Sequence, residues 1–352
     1  MDISELLLFV HKEGGSDLHI SAGESPMLRI HGEIKRIEIP PLTREELHVM
    51  LYDVLTDQQR KRFEETSELD FSLELKGFAR FRVNAFRQQR GEGVVFRVIP
   101  SKIETLEHLG LPKSLKEACS NERGLVLVTG PTGSGKSTTL AAMIDIINTS
   151  LKGHIITIED PIEFMHESKK CLVNQREVGS HTHSFANALR AALREDPDII
   201  LVGEMRDLET IALALTAAET GHLVFSTLHT SGAAKTVDRV IDVFPAAQQG
   251  QIRAQFSESI QAIISQTLLK RRDGRGLVPA VEVMIGTPAV RNLIRENKVA
   301  QLPSAIQTGQ KFGMISLDQS LKELVSRNIV DKEQCLYLAT NPNVFNSEER
   351  QK

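Results

Sequence analysis

The sequence predicts an α/β protein with two domains, the second of which is built on a parallel sheet. Three observations lead to this prediction. The 352 residues suffice for two domains of ordinary size, each with its own apolar core. From residue 125 onward, apolar strand-like segments alternate with helical ones, a pattern typical of parallel sheets covered by helices. Earlier, shorter alternating segments follow an amphipathic helix, which predicts a smaller mixed α+β domain.

The expected domain boundaries follow from changes in this pattern. Residues 1–98 form the N-terminal domain, and the Pro- and Leu-containing segment 99–112 is the expected interdomain linker. Residues 113–280 form the core of the second domain, and residues 281–352 its largely helical C-terminal part. Binding sites of a parallel sheet are expected at the carboxyl ends of its strands.

Composition excludes several classes of protein. With 42 Lys and Arg against 46 Asp and Glu, the net charge is −4, which disfavours a nucleic-acid partner. Cys119, Cys171 and Cys335 lie far apart, so we expect neither a disulfide framework nor a structural zinc site. We find no export leader and no apolar run of about 18 to 20 residues. The sequence therefore suggests a cytoplasmic protein that reaches a membrane only through a partner.

A phosphate-binding loop is the strongest motif. Residues 130–137, GPTGSGKS, follow the apolar segment LVLVT and precede a helix, as the pattern G-x-x-x-x-G-K-[ST] requires. Backbone N–H groups and the helix N-terminus would hold phosphate oxygens there, Lys136 would reach the β and γ phosphates, and the Ser137 hydroxyl would bind Mg²⁺. The sequence therefore predicts ATP and Mg²⁺ as ligands. The candidate nucleotide-binding residues are Thr132, Gly133, Ser134, Gly135, Lys136, Ser137 and Thr138.

Carboxylates follow two other predicted strands. IILV is followed by Gly203, where many P-loop proteins carry an Asp, and then by Glu204; the segment IEDPIEF supplies Glu159, Asp160 and Glu163. ATP hydrolysis needs one carboxylate to orient or deprotonate water and another near the hydrated metal. Spacing leaves open which glutamate is the base, and these acids are also candidates for capping the following helices. Candidate Mg²⁺ ligands are Ser137, Glu159 and Glu204.

Two further groups of residues complete the candidate site. Thr227 and His229 end the segment FSTLH, where they are candidates for sensing the γ phosphate. In FARFRVNAF, period-two alternation places Arg80 and Arg82 together on one face. With Arg97 they are candidates to supply a guanidinium to the transferring phosphate, which accelerates phosphoryl transfer. A solvated basic face is the alternative that their sequence pattern alone favours.

The segments that carry these residues closely resemble a known superfamily. GPTGSGKST, IITIEDPIEF, DIILVGEMRD and FSTLHTSGAAKTVDRVID, in this order, are similar to the Walker A, Asp box, atypical Walker B and His box of the secretion ATPases. The resemblance implies a RecA-like P-loop ATPase domain after a smaller, PAS-like α+β domain. It implies catalytic roles for Glu163, Glu204 and His229, and for Arg82 and Arg97 reaching nucleotide in a hexamer.

Within this superfamily, the chain resembles the retraction ATPases of type IV pili. It shows no large N-terminal extension and no four-cysteine insertion, and its segment 289–296, AVRNLIRE, is similar to the retraction signature, with Val290 where Ile is more usual. The resemblance implies a homohexameric motor for pilus retraction and twitching motility. It would dock at the cytoplasmic face of the inner membrane on a pilus platform protein, and a paralogous retraction ATPase is a further candidate partner.

Two other functions remain as alternatives. A RecA-like nucleic-acid translocase or helicase would share the core, and the basic run KRRDGR at 270–275 is its best feature. The run is short, however, and has no interleaved aromatic residues for base stacking. A regulatory ATP-binding subunit without turnover is disfavoured because Lys136 and the acids are present.

Overall fold

The computed structural model describes residues 2–30, 33–75, 78–99, 102–274 and 276–345. The chain divides into two compact units. The first comprises Met1–Lys102 with Glu163–Met165, and the second comprises Ile103–Ile162 with His166–Lys352. This division falls inside the segment suggested as a linker, and Leu106 and Leu111 of that segment are buried in the core of the second unit. The domain ranges expected from the sequence stay a prediction.

The first unit is an antiparallel sheet with helices. Its described elements are α1 (Ile3–Lys12), β1 (Asp17–Ser21), β2 (Met27–Ile30), β3 (Glu33–Arg36), α2 (Arg44–Val54), α3 (Asp57–Thr66), β4 (Glu68–Leu75), β5 (Ala79–Gln88) and β6 (Gly91–Ile99). The strands are ordered β3-β2-β1-β6-β5-β4. Each helix begins with a capping box, at Asp2, Thr43 and Thr56, which satisfies N–H groups that have no partner inside the helix.

Alternation along β5 separates the core from the outer face of this sheet. Phe81, Val83 and Ala85 are fully buried in the core that the helices also enter. Arg82 is exposed on the other face, as the sequence pattern predicts. The register places Arg82 directly opposite Arg97 of β6, so these side chains share that outer face.

The second unit contains a mostly parallel sheet. Its described elements are α4 (Ser114–Ala118), β7 (Gly124–Thr129), α5 (Lys136–Ser150), β8 (His154–Glu159), β9 (Leu172–Glu177), α6 (Phe185–Ala192), β10 (Ile199–Val202), α7 (Leu208–Glu219), β11 (Leu223–Leu228), α8 (Ala233–Asp242), α9 (Ala246–Ser259), β12 (Ile260–Lys270), β13 (Leu277–Ile285), α10 (Pro288–Arg295), α11 (Leu302–Thr308), α12 (Leu317–Ser326) and α13 (Lys332–Leu336). The strands are ordered β13-β12-β7-β11-β10-β8-β9, and β13 is antiparallel to its neighbour β12.

Both faces of this sheet are covered. Along β7, Leu125 and Leu127 belong to one apolar cluster while Val126 and Val128 belong to the other. Every residue of β7, β10 and β11 is buried, as expected for parallel strands between two helical layers. Polar side chains that reach solvent, such as Glu204 and His229, therefore come after these strands end. Among the described helices, none is long and apolar enough to cross a membrane.

The segment 289–296 forms most of α10 and is anchored by Arg291. Val290 and Ile294 are fully buried, so this side of α10 packs against the core. Arg291 turns toward the protein and donates hydrogen bonds to Gly286 O (2.6 Å), Ser257 O (3.2 Å), Glu258 O and Gln261 Oε1 (3.1 Å). Two of these carbonyls lie in the last turn of α9, where carbonyls have no intrahelical partner. Arg291 therefore joins the end of α9 to α10.

We expect Arg291→Lys to lower the free energy of unfolding by about 1–3 kcal/mol, because an ammonium cannot reproduce the planar fork that bonds several acceptors at once. Urea denaturation measures the change. Arg295→Lys is the matched control: Arg295 is exposed and paired with Glu258, and surface pairs contribute under about 1 kcal/mol. Equal losses in both variants would contradict the anchoring role.

Candidate nucleotide-binding site

Parallel pairing brings the predicted site residues to one edge of the sheet. β7, β11, β10 and β8 are successive neighbours, and their carboxyl ends lie at the same edge because they run in the same direction. The loop 130–137 follows β7, His229 follows β11, Glu204 follows β10 and Glu159 ends β8. The structure therefore assembles these segments, far apart in sequence, where ligands of parallel sheets bind.

The phosphate loop has the backbone that its glycines permit. Gly130, Gly133 and Gly135 have positive φ values of 142°, 79° and 83°, which side-chain-bearing residues rarely adopt. The Lys136 side chain is 9% exposed, and its Nζ donates to Gly130 O (2.9 Å) and Pro131 O (3.0 Å). The ammonium is thus held at the loop, where it can exchange carbonyl oxygens for phosphate oxygens.

The helix that follows the loop offers an anion site and an oxygen ligand. α5 begins at Lys136, and its N-cap Gly135 has no side chain to satisfy the N–H groups of the first turn. These N–H groups and the helix dipole favour a phosphate. Ser137 and Thr138 lie in the first turn and are partly exposed, whereas Ser134 is buried. The Ser137 hydroxyl is the kind of ligand that Mg²⁺ accepts beside phosphate oxygens. Thr132 and Gly133 are exposed at the tip of the loop.

Glu204 and His229 contact each other. His229 Nε2 lies 3.1 Å from Glu204 Oε1, and Arg206 Nε donates to Glu204 Oε2 at 2.8 Å. The Glu204 side chain is 19% exposed, so its carboxylate lies at the surface between two nitrogen groups. This arrangement orients the carboxylate and leaves it accessible to water. It can therefore accept a hydrogen bond from a water molecule that attacks a phosphate.

Gly203 lets two strand ends approach closely. Its N–H donates to Ile158 O at 2.7 Å, and its own carbonyl accepts from Thr227 Oγ1 at 2.6 Å. A Cβ at this position would lie 3.2 Å from Ile158 O and 3.3 Å from Glu159 Cα, which is tighter than most real contacts. An aspartate at Gly203 would require the β8 backbone to shift by a few tenths of an ångström.

Glu159 is held in place by neighbouring polar groups. Its side chain is buried, and Oε1 accepts hydrogen bonds from Thr157 Oγ1 (2.6 Å) and Gln175 Nε2 (3.2 Å). Gln175 of β9 also accepts from the backbone N–H of His166 at 2.8 Å. The structure therefore fixes the Glu159 side chain at the end of β8, where its backbone lies beside Gly203. Its metal-binding role stays a prediction.

The alternative that these acids cap helices is wrong. Residues 160–171, all of which the structure describes, form no helix, so Asp160 and Glu163 cap none there. Asp207, which accepts from Thr210 N at 2.8 Å, is the N-cap of α7 after Glu204. Glu163 is exposed and belongs with residues 164–165 to the first unit. Its role as base or water-orienting group stays a prediction.

In the first unit, Arg97 is paired with a buried carboxylate. Arg97 Nε donates to Asp17 Oδ1 at 2.7 Å, and the Asp17 side chain is 5% exposed whereas that of Arg97 is 66% exposed. Burial acts to raise the pKa of Asp17, but hydrogen bonds from Arg97 and Ser16 outweigh it and lower that pKa. Arg97 and exposed Arg82 thus present guanidinium groups on one surface. Their catalytic roles stay predictions.

Sequence reasoning missed Asp17, Gln175 and Gln266, which hold predicted site residues in place. Gln266 donates to the phosphate-loop carbonyl of Ser134. A signal was available for Gln266, because it is a polar residue in the apolar run of β12 and is 3% exposed. Asp17 and Gln175 carried no such signal, since their partners depend on strand register.

The burial of His166 predicts that acid lowers the free energy of unfolding. His166 is buried, its Nδ1 has no hydrogen-bond partner in the described part of the chain, and burial lowers its pKa to about 4. As pH falls, the histidine of the unfolded chain takes up a proton at a higher pH than the buried histidine of the folded chain. The contribution of His166 to the free energy of unfolding is therefore fully present above about pH 6.5 and is lost as pH drops toward 4. We expect a loss of about 2 kcal/mol between pH 7.5 and 5 from this group.

Urea denaturation at these two pH values tests this expectation. His166→Gln should remove that part of the pH dependence, whereas His108→Gln, at an exposed histidine, should keep it. The same pH dependence in wild type and His166→Gln would contradict the assignment.

Comparisons with known proteins match this geometry. The family model of the type II/IV secretion system proteins matches residues 2–276. A Pseudomonas aeruginosa protein described as the type IV pilus retraction ATPase PilT is 62% identical over 345 residues, 98% of this chain and 100% of that protein. A twitching motility protein of Neisseria gonorrhoeae is 58% identical over 317 residues, 90% of this chain and 85% of that protein.

A solved structure extends the likeness to the fold. The crystal structure of the pilus retraction motor PilT with bound ADP matches with a TM-score of 0.92 and 47% identity, covering 100% of both chains. This match confirms the predicted fold class, a RecA-like P-loop ATPase domain with a smaller N-terminal α+β domain. The chain thus belongs to the type II/IV secretion system protein family and, within it, to the pilus retraction ATPases.

Proposed function

We propose that the chain is a homohexameric ATP-hydrolysing motor that powers type IV pilus retraction, and with it twitching motility. The observation that carries the proposal is the sheet edge where the phosphate loop, His229 and Glu204 meet, in a chain closely similar to retraction ATPases over nearly its whole length. A bound nucleotide in the related solved structure supports ATP as the ligand of that edge.

The residues at this edge suit phosphoryl transfer to water. Lys136 and the N–H groups of the loop hold the β and γ phosphates, and Glu204 orients or deprotonates the attacking water. His229, bonded to Glu204, senses whether the γ phosphate is present. Mg²⁺ bound with the nucleotide neutralises phosphate charge. Ser137, Glu159 and Glu204 would hold it, and Glu163 is the other candidate for the base.

In this proposal, a neighbouring subunit supplies the guanidinium groups that complete the site. Phosphoryl transfer gains about 10³ to 10⁵ in rate from a guanidinium on the transferring group. Arg82 and Arg97 are exposed, lie opposite each other and point from one sheet face, which suits them to approach a phosphate of an adjacent protomer. ATP would draw them inward and hydrolysis would release them, so that chemistry changes the shape of the ring.

The motor acts on a platform protein in this proposal. It works in the cytoplasm and docks at the cytoplasmic face of the inner membrane through an inner-membrane pilus platform protein, whose rotation disassembles the pilus. A paralogous retraction ATPase is a further candidate partner. Contact with the membrane itself is peripheral and goes through the platform protein, and nucleic acid is not a partner.

The nucleic-acid translocase is disfavoured by the surroundings of its basic run. The run lies in the turn between β12 and β13, where Arg271 pairs with Asp273 at 3.0 Å and Arg272 with Asp331 at 3.4 Å. These carboxylates offset the positive charge that a nucleic-acid backbone would need. Arg275 lies outside the described residues. The relatives reported above give this alternative no support.

We expect Lys136→Ala to abolish ATP hydrolysis, because the ammonium that neutralises the β and γ phosphates is removed. Phosphate release by the purified chain measures it. In cells whose own copy is replaced by this variant, pili should become excessive and immobile, as seen by microscopy.

The control is Lys152→Ala, which changes an exposed lysine after α5 and should keep both ATP hydrolysis and pilus retraction. Ordinary ATPase rates in Lys136→Ala would refute the phosphate-loop assignment, and absent pili would indicate assembly.

We expect Arg82→Ala to lower hydrolysis by at least 100-fold while the nucleotide affinity of a single subunit changes little, because the guanidinium acts on a neighbour's phosphate. Turnover and ADP binding are measured on the same preparation. Arg62→Ala, at an exposed position of α3, is the matched control. Turnover of Arg82→Ala equal to that of the control would end the idea of a guanidinium supplied by a neighbour.

A further inference from the structure

Gln266 contacts the phosphate loop from the neighbouring strand β12. Its side chain is 3% exposed. The amide oxygen accepts from Thr139 Oγ1 at 2.8 Å, and the amide nitrogen donates to the carbonyl of Ser134. Both ends of one buried amide are therefore used by the loop and by the first turns of α5. Nothing in the local motif indicates this contact, because β12 follows the loop by more than a hundred residues.

The bond to the Ser134 carbonyl fixes the direction of the peptide group that joins Ser134 to Gly135. In a trans peptide the C=O and the following N–H point in opposite directions. Holding the Ser134 carbonyl on Gln266 therefore turns the N–H of Gly135 away from β12. That N–H precedes α5 and belongs to the set that cradles phosphate.

Residue 266 also lies against both end glycines of the loop. A Cβ at Gly130 would be 2.2 Å from the backbone oxygen of Gln266, and a Cβ at Gly135 would be 3.0 Å from Gln266 Nε2. The loop thus packs on β12 at residue 266, with no room for a Cβ at Gly130 and with Gly135 against the Gln266 amide and Leu268. An apolar residue of the same size would fill the space but would leave the Ser134 carbonyl without its donor.

We propose that Gln266 is a positioning residue of the nucleotide site, whose amide sets the direction of the Gly135 N–H by holding the Ser134 carbonyl. The inference rests on the proposed ATP hydrolysis at this edge and names what keeps its phosphate cradle in shape. Gln266 does not touch the nucleotide, and it acts through the loop backbone.

Two substitutions of Gln266 test whether its amide N–H, which donates to the Ser134 carbonyl, is needed for nucleotide binding. Gln266→Met keeps the length and removes the amide, and it should weaken ADP binding roughly 10-fold to 100-fold. Gln266→Glu keeps an acceptor for Thr139 but sets a carboxylate against the Ser134 carbonyl, so ADP binding at pH 8 should be at least as weak. Binding of a fluorescent ADP analogue to the full chain measures both.

The pH dependence of ADP binding by Gln266→Glu distinguishes a hydrogen-bonding role of residue 266 from a role that depends only on filling space. Burial and the facing carbonyl raise the pKa of a carboxyl at this position, and a protonated carboxyl can donate to Ser134 as the amide does. We expect the affinity of Gln266→Glu for ADP, relative to wild type at the same pH, to recover at least fivefold between pH 8 and pH 6. Gln266→Met should show no such recovery. The nearest charged group of the loop, Lys136, is present in all variants.

Gln261→Met is the matched control on the same strand. Gln261 Nε2 donates to Arg123 O at 2.8 Å and its Oε1 accepts from Arg291, away from the loop. This control should lower the melting temperature and leave ADP affinity within about twofold of wild type. Thr139→Val keeps the bond to Ser134 and should lose less affinity than Gln266→Met.

The outcomes distinguish the inference from the function on which it rests. A wild-type chain that neither binds ADP nor hydrolyses ATP would refute the proposed function. A wild-type chain that does both, with Gln266→Met binding ADP as tightly as Gln261→Met, would overturn the role of Gln266. An affinity of Gln266→Glu that does not recover at pH 6 would overturn it as well, even if Gln266→Met fails to fold.

Discussion

The parallel pairing of β7, β11, β10 and β8 is the constraint on which the candidate site depends. Parallel strands bring their carboxyl ends to one edge, and the apolar clusters on both faces leave that edge as the place where polar side chains reach solvent. The phosphate loop, Glu204 and His229 come after these strand ends, and Glu159 is the last residue of β8. The candidate nucleotide site therefore lies at this edge because the strands that lead to it are buried on both faces.

Close backbone contact then decides which residue types stand at that edge. Gly203 and Gly130 occupy positions where a Cβ would meet neighbouring backbone at 3.2 Å and 2.2 Å. At these positions polar groups are supplied by other residues. Glu204 follows Gly203 directly, and the Gln266 amide reaches the phosphate loop from the facing strand β12. The glycine after β10 thus fits the close approach of β8 and leaves Glu204 as the acidic group at this strand end.

The first unit offers a different kind of surface. Its antiparallel sheet buries one face against helices and leaves the other to polar residues, where Arg82 and Arg97 lie opposite each other. Asp17 holds one nitrogen of Arg97 while most of that side chain remains exposed. A guanidinium that is oriented but still accessible suits a group that must bind phosphate in one state and release it in another.

Sequence alone determined the features that depend on local pattern: the phosphate loop, the strand ends that carry Glu204 and His229, and the alternation that exposes Arg82. Each is set by residues within one turn or one pleat of each other, so a short segment predicts it. Only the tertiary structure decided that Asp17 pairs with Arg97, that Gln175 holds Glu159, and that Gln266 holds the phosphate loop. Those contacts depend on strand order and register, which bring together residues that no local periodicity relates.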